Sequence, residues 1–220
     1  MTVALINPNT SETTTASMVR IAAAAVPGLR FSGVTAPFGP SIISNDAELA
    51  TAAEAVRTLD LSGVAGLEGV VVAAFGDPGL EELKHRAGVP VVGIGESGML
   101  EAAGGGRRFS IVTTTPGLVA SIRRRASAVG VHAELASVRL TEGDFRETMA
   151  TQGVLAERLR KAIEAAVSRD GAEAVLIGGG PLASAARALE SRVDVPVIEP
   201  VGAAARCLGA MLGQPVPERP

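Results

Sequence analysis

Two turns of this chain have residue types and spacing suited to binding and activating a small ligand: Asp77-Pro78 within AAFGDPGL, and GGGPL at Gly178 to Leu182. Each places a proline where a helix would begin, so each ends on a helix N-terminus whose first backbone N–H groups lack intrahelical acceptors. Such groups bind carboxylates and other anions. In the first turn they belong to Phe75 and Gly76, with Asp77 as the expected N-cap and Glu81 and Glu82 in the first helical turn. In the second, Gly179, Gly180 and Pro181 form the turn, and its glycines let a ligand approach the backbone closely. Asn7 and Asn9 in NPNTS, and Thr113 and Thr114 in TTTPG, supply short amides and hydroxyls that could orient a small polar ligand. Asp77, Glu96 and Glu199 are the carboxylates expected to move protons there, the last two in equivalent places after the VPV strands.

Other chemistries are excluded. The glycine run lacks GxGxxG spacing, and no Lys-Ser/Thr pair follows it, so neither a dinucleotide fingerprint nor a Walker loop is present. A single cysteine, Cys207, and two separated histidines, His85 and His132, offer no metal set, and no metal is expected. Cys207 reads as a buried apolar residue of the last helix. A net charge of -3, with five Phe and no Trp or Tyr, argues against nucleic acid or an anionic membrane as partner. The short clusters Arg107-Arg108 and Arg123-Arg124-Arg125 read as solvated surface. No apolar run reaches the roughly 20 residues needed to span a bilayer, and MTVALINPNT lacks signal-peptide layout. A cytoplasmic protein with a small-molecule substrate is expected, with homo-oligomerisation through an aliphatic helix.

Val- and Ile-rich runs alternate with Ala/Leu/Glu/Arg segments at helical spacing, as strand-helix units around a parallel sheet do. The expected strands are 3–6, 30–34, 69–74, 89–94, 109–113, 131–138, 174–177 and 195–198. Asn45 and Glu48 fit a capping box for the helix that follows them. Three segments recur in order: VALINPNT with FSIVTTTPG, VVVAAFGDPG with AVLIGGGPL, and GVPVVGIGES with DVPVIEPVG. The fold class is therefore α/β, as two pseudo-symmetric Rossmann-like halves, each a parallel sheet flanked by helices. Residues 1–100 with 203–220 make the first half and 106–202 the second. Ligands bind at strand carboxyl ends in such sheets, so the polar turns of both halves should line one cleft.

INPNTS, PFGP at Pro37 to Pro40 followed by Ile42, AAFGDPGL, VTT at Val112 to Thr114, GGGPLA and VPVIEPV together resemble the aspartate/glutamate/hydantoin racemase superfamily, most closely its hydantoin and allantoin racemases. The resemblance covers nearly the whole chain. It implies a cofactor-independent isomerase working by proton transfer at an α-carbon, with Ile43 beside the polar turns around the substrate. It also implies two opposed cysteine thiols, one before FGDP and one within the second turn. Those positions hold Ala74 and Gly179. Three readings are open: a racemase-type enzyme for a small carboxylate, amino-acid derivative or five-membered cyclic amide, inactivated at its thiols; a lyase or decarboxylase using Asp77, Glu96, Glu199, Thr113 or Thr114; and a ligand-binding protein without turnover.

Overall fold

The computed structural model describes residues 1–189 and 192–215, with the backbone alone at Arg146, Ala150, Gln152, Pro181, Ser184 and Arg187. The chain opens with β1 (Thr2–Asn7), α1 (Glu12–Ala25), β2 (Arg30–Thr35), α2 (Asp46–Thr58) and β3 (Leu67–Val72). It continues through α3 (Leu80–Arg86), β4 (Val91–Gly93) and α4 (Ile94–Ala102). Next come β5 (Phe109–Thr113), α5 (Val119–Val129), β6 (Leu135–Leu140), α6 (Phe145–Ala150) and α7 (Gln152–Asp170). Last are β7 (Ala174–Ile177), α8 (Ala183–Leu189), β8 (Val197–Ile198) and α9 (Pro200–Met211).

The strands form two four-stranded parallel sheets, ordered β2-β1-β3-β4 and β6-β5-β7-β8. The orders are the same permutation, which is the internal repeat in three dimensions. All residues of β1, β5 and β7 are buried, because helices cover both faces and the strands can be apolar throughout. One face of the first sheet packs on α1 and α9 through Leu5, Val71, Met18 and Leu208, the other on α3 through Leu80 and Leu83. A third core, with Phe75 and Met99 of the first half against Ile111, Leu118 and Ile122 of the second, joins the halves.

Several expectations are corrected. Strand β6 starts at Leu135, because Val131 to Glu134 turn back from the Gly130 end of α5. Strands β4 and β8 are shortened by Pro90 and Pro196, which cannot donate to the ladder. In the capping box, Asn45 accepts from Glu48 N at 3.0 Å, but the Glu48 carboxylate reaches Ser44 N at 2.6 Å, one residue earlier than expected.

Candidate active site between the two sheets

The sheets place equivalent turns face to face. After β3, Ala73 N donates to Ile6 O at 2.7 Å; after β7, Gly178 N donates to Val112 O at 2.8 Å. The next residues are Ala74 and Gly179, so these two occupy equivalent points where strands lie between helices of opposite faces, the usual ligand crevice of such sheets. A cavity of about 60 Å³ lies between them, lined by Asn9, Ile43, Ala74, Phe75, Thr115 and Gly179, among others. It adjoins a wider one of about 300 Å³ with Ser11, Ile42, Thr114, Phe145 and Met149 in its wall.

The glycine turn is built mainly for packing. A Cβ on Gly178 would lie 3.1 Å from the Phe75 ring and 3.0 Å from Ile111, and one on Gly180 would lie 2.7 Å from Met18 Sδ. Two of the three glycines thus let the halves close on each other, leaving Gly179 to face the cavity. Gly179 has φ +155°, where an L side chain is strained. Ala74 is under no such constraint. Among the described residues, the backbone N–H groups of Phe75, Gly76, Thr114 and Thr115 have no protein acceptor. Thr114 lines the larger cavity.

Asn7 and Thr113 are brought to the site but not to its surface. Asn7 Nδ2 donates to Asn9 Oδ1 (2.8 Å), Ser11 O (3.0 Å) and Thr15 Oγ1 (3.0 Å), which consumes its donors and orients Asn9. Thr113 Oγ1 donates to Gly178 O at 2.9 Å and tethers the glycine turn. Gly76 carries its φ of +121° beside Leu49 and lines neither cavity. Pro181 lies within the short 3₁₀ turn Gly180–Leu182 that leads into α8, and its side chain lies outside the described residues.

The carboxylates expected to move protons lie elsewhere. Asp77 is not the N-cap of its own helix; Gly79 is. Its carboxylate is buried and caps α4 from a distance, accepting from Gly95 N and Glu96 N at 2.7 Å each. It also accepts from Arg125 Nε at 2.8 Å. Burial pushes the Asp77 carboxyl up to about 6, against the pull of Arg125 and the two N–H groups. Glu199 caps α9, accepting from Val201 N at 2.6 Å and Gly202 N at 2.7 Å. The strand register also makes Glu199 the counterpart of Gly93, not of Glu96. Glu96 itself pairs with Arg125 and Lys84. Cys207 is half-buried beside the first core, where burial pushes its thiol up and away from the reactive thiolate. Among the described residues, the cavity walls therefore hold no Asp, Glu, His, Cys, Lys, Arg or Tyr. No group of described residues could hold a metal ion, and no described helix is long and apolar enough to cross a membrane.

Unforeseen from the sequence were Phe145 and Met149, since nothing in TEGDFRETMA points to a cleft wall. Arg125 was also missed. Its position three residues after the buried Ile122 was the available sign that it leaves the solvated face of α5.

Two parallel sheets of one topology, closed around a small cleft at their carboxyl ends, define a two-lobed α/β fold. Residues 3–208 match the model of the Asp/Glu/Hydantoin racemase family, and the chain belongs to that family of isomerases. It is 32% identical over 211 residues to the hydantoin racemase of Paenarthrobacter aurescens, covering 94% of this chain and 89% of that one. The hydantoin racemase of Rhizobium meliloti is also 32% identical, over 216 residues, 97% of this chain and 89% of its own. Among solved structures, the allantoin racemase of Klebsiella pneumoniae superimposes with a TM-score of 0.89 at 32% identity, covering 99% of this chain and 90% of its own. Arylmalonate decarboxylase, at 21% identity and TM-score 0.61 over 100% of this chain and 95% of its own, shares the fold alone.

Proposed function

We propose that the chain exchanges the α-proton of a five-membered cyclic amide such as a hydantoin, held in the cleft between the sheets, by stabilising the enolate rather than by a thiol pair. The observation that carries this reading is the set of N–H groups without protein acceptors at Phe75, Thr114 and Thr115, contributed by both halves to the walls of the two adjoining cavities beside Ala74 and Gly179. An amide whose carbonyl oxygen is met by such donors loses its α-proton more readily, because charge developing on that oxygen is stabilised by dipoles already in place. Water lends the base and returns a proton to either face, since no titratable side chain among the described residues lines the cleft. The hydantoin racemases among the relatives support the substrate class.

The test is α-proton exchange of hydantoins in heavy water, followed by NMR, for this protein and an Ala74→Cys variant. Exchange above the buffer rate is expected from the unaltered protein. The variant should exchange about 10² to 10⁴ times faster, the range of a positioned acid or base. It should favour one enantiomer, because one thiol reaches one face. Saturable binding with no exchange by either protein would overturn the catalytic part of the reading and leave a ligand-binding protein.

A further inference from the structure

We propose that Arg125 and Asp77 are positioning residues of this site: the ion pair that Arg125 extends from the second half to Asp77 holds the Ala74–Gly76 turn at a fixed separation from the Gly178–Gly180 turn. Asp77 is part of the first turn. Its N–H donates to Ala74 O at 3.0 Å, its carbonyl accepts from Leu80 N at 3.2 Å, and it is the described non-glycine residue with positive φ, +50°. Its carboxylate fills the space where side chains on Gly93 and Gly95 would stand, so those glycines are required for it to reach the N-terminus of α4.

Arg125 approaches from α5, whose Ile122, one helical turn earlier, forms part of the cavity wall. Its guanidinium bonds Asp77 Oδ2 through Nε (2.8 Å), Glu96 Oε2 through Nη2 (2.8 Å) and Glu81 Oε1 through Nη1 (3.2 Å). Lys84 Nζ adds a contact of 2.9 Å to Glu96. The charged groups facing Asp77 are thus Arg125 from α5, Glu81 and Lys84 from α3, and Glu96 from α4. The Asp77 side chain is fully buried and that of Arg125 is 13% exposed, so solvent screens the link weakly. A shift of α5 therefore moves a cavity wall and the donor turn together.

The proposal rests on the enolate-stabilising reading for its kinetic consequence, but its structural consequence can be read without a substrate. Amide hydrogen exchange would be measured for Asp77 and Leu80 in the unaltered protein and in Arg125→Met, Arg125→Lys and Arg124→Met variants. Protection at both amides should fall about tenfold or more in Arg125→Met, recover in part in Arg125→Lys and stay unchanged in Arg124→Met, since local opening is governed by the contacts holding a segment. For hydantoin exchange, kcat of Arg125→Met should fall roughly 10- to 100-fold, the cost of small misplacements, with little change in KM. Protection that is unchanged, or lost evenly along the whole chain, overturns positioning. A hydantoin inert to the unaltered protein overturns the functional reading instead, while the amide-exchange measurement still decides this one. Should Arg125→Met not fold, Arg125→Lys decides between positioning and its absence, by partial against unchanged protection at the two amides.

Discussion

The two halves share one topology but start their equivalent helices in different ways. Helix α9 is capped by its own N-cap residue: Glu199 folds back onto Val201 N and Gly202 N. Helix α4 starts at Gly93, which has no side chain, and the missing cap comes from Asp77, about one strand and one helix earlier in the chain. The turns show the reverse asymmetry. At the position equivalent to Asp77 the second half has Leu182, buried in its own core, and its turn is held instead by glycines packed on Met18 and Phe75. The Glu199 contacts tie the start of α9 to its own first turn. Remote capping ties a helix, a turn and, through Arg125, the opposite half into one unit.

Removing Arg125 tests that difference most severely. Arg125→Met leaves the Asp77 carboxylate buried without its cation, and a loss of about 3 to 5 kcal/mol is expected from urea unfolding at pH 7.5. The loss should shrink at pH 5, where Asp77 can protonate. It should also shrink in the double variant with Asp77→Asn, because pairwise coupling is what the cycle isolates. Equal losses in the single and double variants would show that Arg125 acts through Glu81 and Glu96 alone.

Acidity probes the same residue more gently. Asp77 titrates at about 6 when folded against an ordinary 3.8. A carboxyl with a raised folded pKa holds its proton more tightly folded than unfolded, so its contribution is complete below about pH 4 and lost as pH rises through 6. The change amounts to about 3 kcal/mol. Stability of the unaltered protein should therefore decline more steeply between pH 4 and 7 than that of Asp77→Asn. Parallel pH profiles would rule the titration out.

How legible this was in the sequence follows from range. Periodicity and the recurrence of three strand-turn segments point to the α/β class and to two similar halves through local signals, and the equivalence of Ala74 with Gly179 follows from them, whereas the strand order does not. The DPG turn misleads because a helix start and a turn that caps a different helix share the same local chemistry; Gly93 and Gly95, spaced to admit a carboxylate, were the only trace. Arg125 was hidden in a run of three arginines, of which Arg124 pairs with exposed Asp46 at the surface while its neighbour turns inward. The glycines of GGGPL suggested ligand approach, whereas Gly178 and Gly180 answer to side chains from the other half, which no local reading supplies.

The mildest effect belongs to the self-capped helix. Glu199→Ala removes acceptors from two backbone N–H groups and should cost about 1 to 2 kcal/mol, the range of a lost N-cap. Because α9 packs into the first core through Val201, Ala204 and Leu208, that loss should appear in global unfolding rather than in the turns. Protection of the Asp77 and Leu80 amides should be untouched relative to the rest of the chain. If Glu199→Ala loosened those amides as much as Arg125→Met does, the contrast between local and remote capping would disappear, and the two helix starts would have to be treated as one cooperative unit.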